Sequence, residues 1–237
     1  MPELQRNGRR APSGGRRPSR TAAPAGRRRA LRWALPVAAV AVLALLASAL
    51  LRSTVADLYL IPSGSMEPLL RQGDRISVDR DAYVSAPVER GDVVVVDGEG
   101  SFAPYDSRPA PVRWGGDALQ WLGLVPDTTA YVKRVAGVGG DTMSCCTADG
   151  LLEVNGEAVA EDYLAGPPPA SRTAFTAEVP AGRVFLLGDN RHSSRDSRSL
   201  LGAPGGGMIH EAKILGKVDA IAWPPGRRTG IPADDGR

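Results

Sequence analysis

Apolar residues fall into one long run and a series of short ones. The long run is Trp33–Leu51, 19 residues without a charged side chain. As a helix it spans roughly 28 Å, close to a bilayer core of about 30 Å. Pro36 lies near its start, where a helix tolerates proline. After residue 52 no second run of this kind follows, and the period changes. Asp74–Asp79 (DRISVD) alternates, as a half-buried strand does, whereas Asp92–Asp97 (DVVVVD) reads as a buried strand bounded by charges. Ala56–Pro62, Tyr131–Val138, Val184–Leu187 and Ile214–Trp223 predict further strands. Leu151–Val154 and Glu157–Val159, joined by Asn155-Gly156, predict a hairpin with a type I′ turn. A short helix is predicted over Asp117–Leu124, with Asp117 as its N-cap. The fold class expected is mostly β: an antiparallel domain of two packed sheet regions, preceded by one transmembrane helix.

Composition supports this picture. The chain's 28 Gly and 20 Pro argue against a helical bundle. Charge divides it unevenly: residues 1–32 carry ten Arg and one acid, Glu3, a net of +9, and the remaining 205 residues carry a net of −6. The tail is rich in Arg, Pro, Gly, Ser and Ala and is expected to be disordered. Arg27, Arg28, Arg29 and Arg32 stand just before the apolar run. The positive-inside rule therefore puts the N-terminus in the cytoplasm and residues 53–237 outside, on a single-pass protein of the cell membrane. Ala47-Ser48-Ala49 resembles the A-x-A site of a cleavable signal peptide, but the run exceeds the usual length of about 7–15 residues and continues through Leu50 and Leu51, as an uncleaved anchor does. The organisation expected is a basic tail (1–32), a membrane helix (33–51) and an extracytoplasmic domain (53–237). An insertion at about 100–126 carries Trp114 and Trp121 and reads as a flap, a membrane-touching loop or a surface loop.

Three clusters could carry chemistry. Ile61-Pro62-Ser63-Gly64-Ser65-Met66-Glu67-Pro68 puts two serines around a glycine directly after a strand. Such a turn can present a hydroxyl and a backbone N–H together, as a nucleophile and an oxyanion hole require, although Ser-Gly-Ser alone is common in turns. In Tyr131-Val132-Lys133-Arg134-Val135, strand periodicity places Lys133 on one face with Tyr131 and Val135, and Val132 and Arg134 on the other. A lysine here, in a chain with 26 Arg and 3 Lys, is informative. Arg cannot give up its proton, and a desolvated Lys can. The bland alternative is an edge lysine snorkelling to water. Gly188–Arg198 (GDNRHSSRDSR) is a polar loop suited to internal Asp–Arg pairs; His192 invites a Ser-His-Asp reading, but a histidine in so polar a loop is expected to be exposed. The adjacent Cys145 and Cys146 are either reduced thiols or a vicinal disulfide.

Together and in this order, after an N-terminal apolar run and with GDRISVDR and RGDVVVV between them, the motifs PSGSMEP, YVKRVAGVGGD and GDNRHSSRDSR resemble those of the bacterial type I signal peptidases, over residues 30–223. The resemblance implies a Ser–Lys dyad, with Ser65 as nucleophile and Lys133 as general base. It implies Ser63 in the oxyanion hole, Ser194 orienting the lysine amine, and Asp196 supporting, with Arg191 and Arg198 pairing with Asp189 or Asp196. By motif position it assigns Tyr59, Ile61, Pro62 and Val132 to the substrate pocket. Family members commonly carry an acid where His192 stands. The partners implied are secretory preproteins with small residues at −1 and −3 and the lipid bilayer; no cofactor, metal or nucleic acid is expected. The alternatives carried beside it are a peptidase specialised for one exported or pilin-like substrate and a catalytically silent anchored β-domain.

Overall fold

A computed structural model describes residues 36–40, 42–44, 57–105, 107–121, 129–203 and 205–232. The chain divides into two units, Met1–Ser53 and Thr54–Arg237. In the first, the described residues 36–40 and 42–44 are helical. Among the described residues no helix is long and apolar enough to cross a membrane. The tail and most of the apolar run lie outside the described residues.

The second unit is built from antiparallel strands. The larger sheet contains β1 (Asp57–Leu60), β2 (Arg75–Asp79), β3 (Val93–Asp97), β4 (Ala130–Val138), β9 (Arg183–Leu187), β10 (Ile209–His210), β11 (Ile214–Trp223) and β12 (Thr229–Gly230). Its order is β1-β2-β11-β3-β4-β9-β10, with β12 on β11. The smaller sheet, β7-β6-β5-β8, is formed by β5 (Thr142–Cys145), β6 (Leu152–Val154), β7 (Glu157–Val159) and β8 (Phe175–Glu178).

The Val93–Val96 run explains why the large sheet is covered on both faces. β3 is central, paired with β11 and β4. Val93 and Val95 join Ile61, Met66, Leu70, Ile76, Val218 and Ile221 in one cluster. Val94 and Val96 join Val135, Val184, Leu186 and Ile209 in another. Each buried valine is worth about 1.5–3 kcal/mol relative to exposure. The small sheet packs on β9: Met143, Cys145, Leu152, Val154 and Ala177 share a cluster with Phe185 and Leu187. The hairpin turn is as predicted, with φ of 56° at Asn155 and 83° at Gly156.

One expectation about the elements needs correction. The helix, α1, covers Ala110–Trp121, so Asp117 lies within it rather than capping it. It starts in the first turn after Arg108-Pro109; proline suits that entry and its signal outranks the aspartate. β5 and β8 were not predicted, because they pair across 29 intervening residues, as in Cys145↔Phe175, with no local turn to announce them. Cys145 and Cys146 are joined as a vicinal disulfide across a cis peptide bond, which resolves the open alternative.

Candidate active site

Ser65 lies in the turn that follows β1. Ile61 and Met66, 3% and 1% exposed, are buried on either side of it and fix the turn to the core. The backbone closes through Glu67 N–H donating to Gly64 O at 3.2 Å and Leu70 N–H donating to Met66 O at 2.9 Å. Gly64 is not left-handed. A Cβ there would stand 3.0 Å from Glu67 Oε1, a contact the flexible Glu67 side chain can relieve. From the loop after β9, Asn190 holds the turn: its N–H donates to Ser65 O at 3.1 Å and its Nδ2 to Gly64 O at 3.2 Å.

Lys133 comes from β4, paired opposite Val94. It is only 3% exposed, so it is buried rather than snorkelling. Its Nζ donates to Ser65 Oγ at 2.8 Å and to Val132 O at 3.0 Å. Burial pushes its pKa down to about 8, against the opposing pull of the Asp196 and Asp189 charges. The Ser63 hydroxyl donates to Ser65 Oγ at 3.4 Å. Two hydroxyls and an amine with a lowered pKa thus converge, the arrangement that activates an oxygen nucleophile.

The third cluster supports this pair from behind. Asp196 is fully buried and caps the 3-10 turn Ser197–Leu200. It pairs with Arg198 through Nε at 2.9 Å and Nη2 at 2.8 Å, and it accepts Gly188 N–H at 3.1 Å. Asp189, also fully buried, pairs instead with Arg134, through Nε at 2.9 Å and Nη2 at 2.7 Å. Arg191 pairs with Glu161. Of the Asp–Arg pairs expected within the loop, only Asp196–Arg198 forms; the other two charges find partners on β4 and on the segment after β7, because both are directed into the protein. Gly188 lies so close to Ser65 O and Ser194 that a Cβ would clash with both. Ser194 Oγ and His192 Nδ1 are buried without a hydrogen-bond partner among the described residues. His192 is therefore half-buried rather than exposed, and it does not bond to Ser65 or Lys133.

The four pocket candidates separate. Tyr59 and Val132 are partly buried in the cluster that holds Ile61, while Pro62 is exposed. β9 ends at Leu187, opposite Arg134, so the strand Tyr131–Lys133 runs on past it. Asn190, Arg134, Glu161 and Tyr163 were missed as site residues. Arg134 was visible beside Lys133 but assigned only to the opposite face. Glu161 and Tyr163 carried no local signal.

The sequence model of the signal peptidases, peptidase S26, matches residues 31–223. The chain is 39% identical over 214 residues to signal peptidase I of Mycobacterium tuberculosis, covering 80% of this chain and 72% of that protein. It is 30% identical over 191 residues to signal peptidase I T of Bacillus subtilis, covering 77% and 82%. Over four-fifths of its length this chain follows the family pattern, and it belongs to the signal peptidases of peptidase family S26, as a serine peptidase of the signal peptidase I type.

Proposed function

We propose that the chain is a membrane-anchored endopeptidase that removes N-terminal signal peptides from exported preproteins, with Ser65 as nucleophile and Lys133 as general base. The observation that carries this reading is the 2.8 Å contact between the Nζ of the buried Lys133 and Oγ of the half-buried Ser65. The family and the names of the relatives supply the substrate class.

Neutral Nζ takes the proton of the Ser65 hydroxyl as Oγ bonds to the scissile carbonyl carbon. The developing oxyanion accepts hydrogen bonds from the Ser63 hydroxyl and the Ser65 N–H, donors worth on the order of 3 kcal/mol each. The carbon–nitrogen bond breaks as the proton passes from Nζ to the leaving amine, which becomes the mature protein's N-terminus. Water then attacks the ester carbon as Lys133 Nζ takes its proton; the bond from carbon to Oγ breaks, and Nζ passes that proton to Ser65 Oγ, releasing the signal peptide as a carboxylate. The Ser194 hydroxyl, without a partner among the described residues before substrate binds, is read as the acceptor that the amine reaches between these steps. Asp196 and Arg198 hold the loop that carries Ser194.

The substrate lies extended, adding as a strand beside Tyr131–Lys133 and along Ile61-Pro62. Its −1 and −3 side chains face the apolar surface of Tyr59, Ile61 and Val132, which suits small residues. Residues 33–51 anchor the enzyme with its N-terminus in the cytoplasm and its catalytic domain outside. Tethering to the bilayer that holds the signal peptide raises the effective concentration of substrate.

The test is cleavage of a preprotein carrying an A-x-A site by wild type, Ser65→Ala, Lys133→Ala and Lys133→Arg, with the product's new N-terminus sequenced. Cleavage after the small residue by wild type alone is expected. Cleavage by Lys133→Ala at the wild-type rate would remove Lys133 from the mechanism.

A further inference from the structure

We propose that Glu161 and Tyr163, on the segment between β7 and β8, are positioning residues: they clamp the strip Gly188–Asn190 from behind and through it set Ser65 and the Lys133 amine. The inference rests on the Ser65–Lys133 reading above.

The clamp has two arms. In one, both Glu161 oxygens accept from Arg191, Nη1 at 2.6 Å and Nη2 alongside, with side-chain exposures of 4% and 2%. Arg191 Nε then donates to Gly188 O at 3.1 Å. In the other, the Tyr163 hydroxyl donates to Glu161 Oε1 at 2.7 Å while its ring lies under the Arg134 guanidinium, 3.9 Å from the centroid. That guanidinium grips Asp189. The segment's backbone closes the clamp where Ala165 N–H donates to Asp189 O at 3.1 Å.

The clamped strip lies against the turn that carries Ser65. Gly188 lies close enough to Ser65 O and Ser194 that a Cβ would clash with both, and Asn190 bonds Ser65 O and Gly64 O. Four buried charges alternate behind it, Glu161, Arg191, Asp189 and Arg134, and together they are neutral. Asp189 and Asp196 are the carboxylates that act on the Lys133 charge. Removing the Glu161 charge leaves an excess cation behind Asp189, which disfavours the protonated amine. A residue supporting only the fold would change stability without moving the protonation of Lys133.

The test measures kcat, KM and the pH profile of kcat/KM on a peptide with small residues at −1 and −3, using the full chain in detergent. Glu161→Gln is expected to lower kcat about tenfold with KM within about twofold, since a small misplacement of reacting groups is felt in the chemical step. Its acid limb moves to lower pH, and Glu161→Asp, which keeps the charge, returns the limb toward wild type. Tyr163→Leu lowers kcat about threefold, and Tyr163→Phe, which keeps the ring over Arg134, restores most of it. A folded Glu161→Gln enzyme with wild-type kcat and limb would overturn the proposal. So would a lower kcat with an unmoved limb. If Glu161→Gln does not fold, the tyrosine pair decides, and equal activity of Tyr163→Leu and wild type overturns it. Lys133→Ala run alongside separates the two readings: its inactivity together with an unaffected Glu161→Gln rejects the clamp alone, and its full activity rejects the dyad.

Discussion

Lys133 and Arg134 are neighbours in β4 and are buried almost equally, at 3% and 4% exposure, yet their surroundings are opposite. Arg134 has a bidentate carboxylate, a backbone carbonyl at 2.8 Å and an aromatic face. Lys133 has a hydroxyl and a carbonyl, and among the described residues no carboxylate bonds to its Nζ. The permanent cation receives the counter-charge, and the cation able to lose its proton is left to lose it. Because Arg134 occupies both Asp189 oxygens, a carboxylate can lie close enough to influence Lys133 without holding its proton in place. On the proposed mechanism the two residues divide between them what a single buried cation cannot do: anchor the loop and serve as a base.

The largest effect comes from making Lys133 resemble its neighbour. Lys133→Arg and Ser65→Ala are expected to lower kcat by at least about 10³-fold, measured in single-turnover cleavage, since loss of either member of a dyad removes most of its contribution. Next is removal of the neighbour's counter-charge. Asp189→Asn is expected to cost about 3–5 kcal/mol in denaturant unfolding, because Arg134 is then buried without its carboxylate. It also removes a charge that favours protonated Lys133, so in the surviving folded enzyme the acid limb of kcat/KM moves to lower pH.

A third prediction concerns stability. Burial pushes the pKa of Lys133 in the folded chain down from its ordinary value of 10.5 to about 8. Between these values the unfolded chain binds more protons at this site, so its contribution to unfolding free energy rises with pH across that window. Below it the buried charge costs up to about 3 kcal/mol. Lys133→Met is thus expected to be inactive yet more stable at pH 7, with a gain that shrinks as pH rises toward 10; a Tm series across pH measures this. The smallest effect is Asn190→Ala, which loses the bond to Gly64 O and is expected to cost about 1 kcal/mol by denaturant titration, with a modest loss of kcat.

The strands that organise the site were legible because each carries a strong local pattern. DVVVVD announces burial on both faces, and Asn155-Gly156 announces its turn. Ser65 and Lys133 were legible only through motif order, since neither residue type is distinctive by itself. β5 and β8 were not legible, because they pair with each other far along the chain and no local turn joins them. Nor was the pairing of the buried charges. The loop sequence offers Arg191 and Arg198 to Asp189 and Asp196, but only the tertiary fold brings Arg134 and Glu161 into competition for them.

The central claim is that Lys133 is a base able to lose its proton near neutral pH, and direct titration tests it. The chain has only three lysines, so protein labelled with ¹³C at lysine Cε gives a sparse spectrum, and the Lys133→Met variant identifies one signal by its loss. That signal is expected to titrate with a midpoint near 8, and the acid limb of kcat/KM is expected to follow it. A Lys133 signal that stays unchanged until above about pH 10, in an enzyme active at pH 7, would contradict the account.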